Sequence, residues 1–420
     1  MSVQVAVVGS GPAGCYTAQA LLKARPGVGI TLVERLPVPF GLVRYGVAAD
    51  HQGTKAVTRQ FDRVLAHPDV SFVGNVEVGT DVSLEALRSS FDAVVIATGL
   101  DRDRRLGIAG EDLPGVVASG RLTRWANGHP DATHAPPCLG RRVVVIGNGN
   151  VAIDVVRLLA KEQSDFEGSD LPGEVASALA AARVEEVVVV GRGAVADARF
   201  DPAMVKELAH ISGATFDVEG LTSGDASPQA HALRHLRDGQ RRGDRVTVRF
   251  RFGWTPVRIA GNGRVEEVVF ADTTRTERSV VTDLVVSAIG FTGPAALVPD
   301  DMRAEDGRVG SGLYCVGWAH RGPRGTIPDA RADARLVAAA VLDDLDDLDD
   351  LGARRTSSVR SDPQRCFAGV PATDLAGWHA IDHHERSTAG HGRTRNKVTD
   401  RRALLQLARP HLNHLEGEPA

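Results

Sequence analysis

Two glycine-rich stretches hold the chemistry most legible in this sequence: Gly9-Ser10-Gly11-Pro12-Ala13-Gly14 and Gly147-Asn148-Gly149-Asn150-Val151-Ala152. Each follows a run of branched apolar residues and opens an amphipathic helix pattern. Backbone N–H groups at such a turn point at a phosphate, and the helix N-terminus behind them favours its negative charge. The spacing gives each small residue a task. Gly9 and Gly147 allow a tight turn, Gly11 and Gly149 let a pyrophosphate approach the backbone, and Gly14 and Ala152 let the helix pack closely on its strand.

The elements that position these turns can be read around them. Val5–Val8 and Val143–Ile146 are expected as fully buried parallel strands. A helix should run from Pro12 to Ala24, followed by a strand ending at Glu34. An acid about 20 residues past the last glycine suits ribose hydroxyls. The strand after the second turn ends instead at Arg192. A carboxylate repels a ribose 2′-phosphate and a guanidinium attracts one. The first site therefore reads as FAD and the second as NADP, unless Arg192 is only a solvated strand-end arginine.

After Glu34 comes a long Pro/Gly-rich loop holding Arg44 and His51, longer than a plain nicotinamide dehydrogenase needs. A later strand ends at Ala97-Thr98-Gly99, where two-dinucleotide flavoproteins leave their first domain. The expected fold class is α/β, with two Rossmann-like dinucleotide-binding domains and a C-terminal extension. Residues 1–104 would form the first part of the FAD-binding domain, 105–290 the NAD(P)H-binding domain and 291–345 the returning part of the FAD-binding domain. Residues 346–420 would be an acidic linker and an extension packed on the FAD domain, pinned by Trp378 and Ile381. The segments around Val246–Ala260 and Arg264–Asp272 alternate at period two and predict an antiparallel ribbon. The repeat "LDDLDDLDDL" is either an acidic helix end or a solvated linker.

Composition narrows the class. The 420-residue chain is 43% hydrophobic and 24% charged, as in soluble enzymes, and its net charge of −4 excludes a globally basic nucleic-acid binder. Cys15, Cys138, Cys315 and Cys366 are too scattered for a CxxC redox pair or a local cluster motif, and read as small buried residues. The first strand begins close to Met1 and no apolar run reaches membrane-span length, so a cytoplasmic, non-membrane protein is expected.

The stretches "GSGPAG", "PFGLVRYGVAADH", "GEDLPGV", "VVIGNGNVAIDVVR", "VVVVGR", "GWAHRGPRGTI" and "GWHAIDHHERSTAGHGRTRNKV" occur in that order. In this the chain resembles the adrenodoxin-reductase-like ferredoxin–NADP+ reductases, including actinobacterial members. The resemblance implies FAD contacts at Gly9, Gly11, Ala13, Gly14, Glu34, Leu42, Val78, Trp318, Gly325, Thr326 and Ile327. It implies NADP contacts at Arg104, Asn148, Gly149, Asn150, Val151, Arg192 and again Gly325. The implied activity is hydride transfer from NADPH to FAD, then single-electron transfer to a ferredoxin, with a cytochrome P450 as a downstream consumer and the protein acting as a monomer. His51 would position the nicotinamide or organise local hydrogen bonds, or be a histidine bonded to backbone. Arg44, Arg102, Arg105, Arg321 and Arg324 are candidates for a basic patch that receives an acidic ferredoxin.

Four departures from the family pattern matter. Relatives carry Arg-Arg at Arg192-Gly193, a glutamate at Met204, a Gly-Thr-Asn turn at "GTIPDARAD" and a tryptophan at Phe40. The missing arginine predicts a weakened preference for NADPH over NADH, partly compensated by Arg199. An alternative enzyme is an NAD(P)H diaphorase acting on quinones or small acceptors, and Gly193, Met204 and the altered "GTIPDARAD" turn keep open a flavin-binding protein whose nicotinamide site has decayed.

Overall fold

The computed structural model describes residues 2–132, 137, 139–222, 224–239, 243, 245–292, 297, 304–350 and 363–408. In chain order the strands are β1 (Gln4–Val8), β2 (Gly29–Glu34), β3 (Val70–Gly74), β4 (Ala93–Ile96), β5 (Arg102–Asp103), β6 (Val116–Ala118), β7 (Arg142–Ile146), β8 (Glu186–Gly191) and β9 (Ala214–Glu219). There follow β10 (Val246–Phe252), β11 (Thr255–Ala260), β12 (Glu267–Ala271), β13 (Glu277–Val281), β14 (Leu284–Ser287), β15 (Phe291–Thr292), β16 (Arg308–Gly310) and β17 (Leu313–Cys315).

They form two six-stranded sheets, ordered β16-β17-β4-β1-β2-β3 and β6-β14-β7-β8-β10-β9. The central strands are unbroken apolar runs because both faces are covered; Val5, Ala6 and Val7 are fully buried, as are Val144 and Val145. The chain leaves the first sheet after β4, builds the whole second sheet and returns to pair β17 alongside β4, Leu313 opposite Val94. The outgoing and returning segments meet as the two-stranded pair β5–β15, Asp103 opposite Phe291. The helix Pro12–Ala24 has the bounds expected from sequence.

One strand differs from expectation. The predicted ribbon exists as β11–β12–β13, but β10 is not in it; it lies parallel between β8 and β9. Its alternation has another cause. Arg249 pairs with Glu186 at 2.7 Å and Arg251 with Asp217 at 2.9 Å, both acids on neighbouring strands, while Val246, Val248 and Phe250 are buried. Ion pairing at one surface of the sheet imitates the pattern of a half-solvated hairpin.

The helix Ile327–Asp350 carries Pro328 as its second residue and continues through most of the acidic repeat, so that repeat is a helix end; Leu351 lies outside the described residues. Cys15 and Cys315 are buried, Cys366 is half-buried and Cys138 lies outside the described residues. Among the described residues no helix is long and apolar enough to cross a membrane.

The extension packs through the helices Leu375–Ser387 and Arg401–Ala408. Trp378 and Ile381 are buried, and Trp378 meets Phe40 edge-on at 5.6 Å between ring centres. The extension also reaches the second sheet's side of the molecule, where Arg393 donates to the Ser169 hydroxyl at 2.6 Å.

Candidate functional site

The first glycine turn is built as its spacing requires. Gly9 has φ +110°, and a Cβ there would lie 2.5 Å from the Ala97 carbonyl oxygen. A Cβ on Gly14 would lie 1.9 Å from the Gly9 carbonyl oxygen, whereas one on Gly11 would meet nothing within 4 Å. Two glycines are thus needed by the fold, and the third leaves a space of the kind a bound diphosphate fills. Glu34 stands beside the turn. Its carboxylate accepts from the Ser10 N–H (3.0 Å), the Ser10 hydroxyl (2.7 Å) and the Leu36 N–H (3.1 Å). A carboxylate has about four acceptor positions, so one remains for a ribose hydroxyl.

Other predicted residues lie on the segments around this turn. The Phe40 N–H donates to the Ser10 carbonyl at 3.1 Å, and Gly41 abuts Gly11, which brings the exposed Leu42 beside the turn. Half-buried Val78 follows β3 on the Glu34 side, where the Val76 N–H donates to the Glu34 carbonyl at 2.9 Å. The returning segment closes on the same place: a Cβ on Gly317 would lie 2.6 Å from the Ala13 Cβ. Trp318 follows and packs on Phe291 at 5.5 Å between ring centres. Gly325, at φ +86°, and Thr326 lead into the helix starting at Ile327. Asp329 accepts from the Thr326 N–H (2.6 Å) and hydroxyl (2.8 Å), so the atypical "GTIPD" turn is held by its own cap.

The second turn repeats the plan. A Cβ on Gly147 would lie 2.2 Å from the Ala288 carbonyl oxygen; one on Gly149 would meet nothing within 4 Å. Asn148, Gly149, Asn150 and Val151 are half-buried and open the helix Asn150–Ala160. Arg104 is exposed, its N–H bonded to the Gly290 carbonyl at 2.9 Å, two residues from the Ala288 that closes on Gly147. Arg192 is exposed just beyond β8.

The segments that follow the two cradles meet at a polar cluster, and of its members only His51 is among the predicted site residues. Asp50, from the loop after the first cradle, pairs with Arg157 at 2.5 Å and with Lys161, both C-terminal to the second turn. Arg157 also binds Glu207. His51 lies between Asp154 (3.8 Å) and Glu207 (3.4 Å). Met204 is one turn before Glu207 on the helix Pro202–Glu207, so it is Glu207 that supplies a carboxylate to this junction. The available signal was Asp154, Arg157 and Lys161 recurring on one helical face directly after the glycine turn.

Environment sets the charges. Burial opposes ionisation of Asp50, but Lys161 and Arg157 outweigh it and hold the carboxyl at about 2. Burial, then Arg157, pushes His51 below its usual value, leaving a neutral imidazole at pH 7. Burial pushes Asp154 up to about 7, and its Oδ1 has no hydrogen-bond partner among the described residues. A carboxyl raised on folding costs nothing below its unfolded pKa near 4, and costs more as pH rises toward 7. Asp154→Asn should therefore stabilise the apoprotein by a few kcal/mol at pH 8 and by little at pH 4. Denaturant melts at both values check this; equal gains at both would remove the assignment.

The predicted basic patch is thinned. Arg44 is buried and paired with Glu385 at 2.5 Å, between the rings of Tyr45 and Trp378, and contributes no surface charge. Arg105 is engaged by Glu111 and Asp112, and Arg321 lies 3.3 Å from Asp333. Arg102 and Arg324 are exposed.

Two Rossmann-like units, each with a glycine turn open at its central glycine, are the architecture of the pyridine nucleotide-disulphide oxidoreductases, whose family model matches residues 3–211. The chain is 42% identical to the cindoxin reductase of Citrobacter braakii, over 96% of this chain and 91% of that protein. It is 34% identical to the NADPH-ferredoxin reductase FprA of Mycobacterium leprae, over 96% and 98% of the two chains. The structure of FprA from Mycobacterium tuberculosis in complex with NADPH superposes with a TM-score of 0.90 at 32% identity, covering 97% of this chain and all of that one. The chain belongs to the ferredoxin–NADP+ reductases within the pyridine nucleotide-disulphide oxidoreductase family.

Proposed function

We propose that this chain oxidises NADPH, and also NADH with only a modest preference between them, and passes the electrons singly to a ferredoxin-type iron–sulfur carrier. A cytochrome P450 is the proposed downstream consumer. The observation that carries the reading is the pair of open cradles at Gly11 and Gly149, joined through the Asp50–Arg157 contact. We assign residues 1–104 and 291–345 to the flavin unit, 105–290 to the nicotinamide unit and 346–420 to the extension. Because one chain holds both cradles, it can work as a monomer; we place it in the cytoplasm, where NADPH is available.

FAD fits the first cradle: the Gly9–Gly14 turn would take its diphosphate, Glu34 its ribose, and Leu42, Trp318 and Gly325–Ile327 its ring system. Bound there, the flavin supplies the exchange of a two-electron donor for one-electron acceptors. NADPH fits the second cradle through Asn148–Val151, Arg192 and Arg104. The protein's part is placement. The Asp50–Arg157–Lys161 ion pairs fix one unit against the other, and neutral His51 adds no charge where a cationic nicotinamide must form. Exposed Arg102 and Arg324 offer positive charge to an acidic carrier.

The test is an anaerobic titration of the purified holoprotein with NADPH, then with NADH, followed by ferredoxin-dependent reduction of cytochrome c. Bleaching of the flavin band, with a rate that rises with ferredoxin, is expected. A colourless protein that takes up no FAD would overturn the reading, and bleaching without any ferredoxin dependence would favour the diaphorase.

A further inference from the structure

We propose that Arg199 is the second cation of the nicotinamide-dinucleotide site. It stands in for the arginine that position 193 lacks and, with Arg192, reads the 2′-phosphate of NADPH. The inference rests on the assignment of the second cradle to NADPH.

The segment after β8 does not leave the site; it folds back over the glycine turn and is tied to it twice. The Arg199 N–H donates to the Asn148 carbonyl at 3.2 Å, which sets Arg199 opposite Gly149 as a bridge partner. The Asp201 N–H donates to the Asn150 side-chain carbonyl at 2.6 Å. The Arg199 backbone is therefore held directly against the glycine that leaves room for a diphosphate, within one side-chain length of whatever the turn holds. The Arg199 side chain is exposed, and neither it nor Arg192 has an ion-pair partner among the described residues. Arg157, the other guanidinium nearby, is already engaged by Asp50 and Glu207.

The same loop explains the glycine at 193. A Cβ there would lie 3.0 Å from both the Cβ and the Oδ2 of Asp197. Asp197 accepts from the Ala194 N–H at 3.0 Å and caps the tight turn Val195–Asp197. That turn brings the chain back over Asn148 within a few residues. An arginine at 193 would crowd the Asp197 cap, so the compact loop favours glycine there and delivers a guanidinium from position 199 instead. A guanidinium pairs with phosphate through two parallel hydrogen bonds, and NADH offers it no such group.

The experiment compares steady-state kcat/KM for NADPH and for NADH, with a small dye as acceptor, in wild type, Arg199→Ala, Arg199→Lys, Arg192→Ala and the Arg192/Arg199 double alanine variant. Arg199→Ala should lower kcat/KM for NADPH by about 10- to 100-fold, the equivalent of one charge-assisted hydrogen bond, while NADH is unchanged. Arg199→Lys should recover part of the loss, and the double variant should show a lower NADPH/NADH ratio than either single alanine variant. An unchanged NADPH/NADH ratio in Arg199→Ala would overturn the proposal. So would an equal fall for both cofactors, which marks a structural role in the turn. Wild type that oxidises neither cofactor would instead overturn the assignment of the cradle.

Discussion

Gly11→Val should yield a folded protein without flavin, and Gly149→Val a folded flavoprotein that NADPH no longer bleaches. Both follow from one geometric contrast. A Cβ at either position meets no other atom of the protein within 4 Å, so the substitution costs the polypeptide little beyond a poorer helix cap. The branched side chain instead occupies the place where a diphosphate approaches the backbone. Gly14→Val is the control: its Cβ would lie 1.9 Å from the Gly9 carbonyl oxygen, and this substitution should prevent folding of the first unit. Absorbance of the purified proteins, circular dichroism and an NADPH titration separate the three outcomes. Full flavin content in Gly11→Val would show that the first cradle is not where the cofactor's diphosphate sits.

Asp170→Asn should destabilise the protein by about 3–5 kcal/mol, the cost of stranding buried charge. Asp170 is buried, and two lysines share it. Lys55, the last residue of the short helix Gln52–Lys55, lies 2.8 Å from its carboxylate, and Lys397, from the C-terminal extension, lies 3.1 Å from it. Burial pushes Lys55 below the usual lysine range, and burial together with Lys55 pushes Lys397 well below it. Burial opposes ionisation of Asp170 too, yet Lys397 and Lys55 together hold its carboxyl below the usual value. Without that charge the lysines keep only neutral acceptors: the Asn127 side-chain oxygen for both, and the Arg44 and Asn127 carbonyls for Lys397. Lys397→Met, which leaves the Lys55–Asp170 pair intact, should cost less. Urea midpoints, followed separately by flavin fluorescence and by circular dichroism, measure both, since a chain of several units need not unfold in one step. A loss below about 1 kcal/mol in Asp170→Asn would mean the three segments are held by other contacts.

This cluster joins segments that lie 115 and 227 residues apart from Asp170 in sequence, and no local pattern announces it. The same holds for Asp50 with Arg157 and for Arg44 with Glu385. Arg44 in particular resembles a surface cation in sequence, because only the packing of Trp378 and Glu385 against it takes it out of solvent. The β10 strand shows a subtler limit. Period-two alternation reports that alternate side chains differ in environment, and does not distinguish solvent from a row of acids on the neighbouring strands.

By itself the sequence determined the two strand–turn–helix cradles, the acid that closes the first and the arginine that follows the second. These features depend on backbone geometry within a few consecutive residues or on the fixed length of one strand–helix–strand unit, so spacing alone specifies them. The tertiary structure decided which charges meet. It placed Glu207 beside His51, divided Asp170 between two lysines, buried Arg44 and folded Arg199 back onto the second turn. Ion pairs and burial arise from contacts between distant segments, and the free energy of a charge is set by the dielectric and partners that those contacts create.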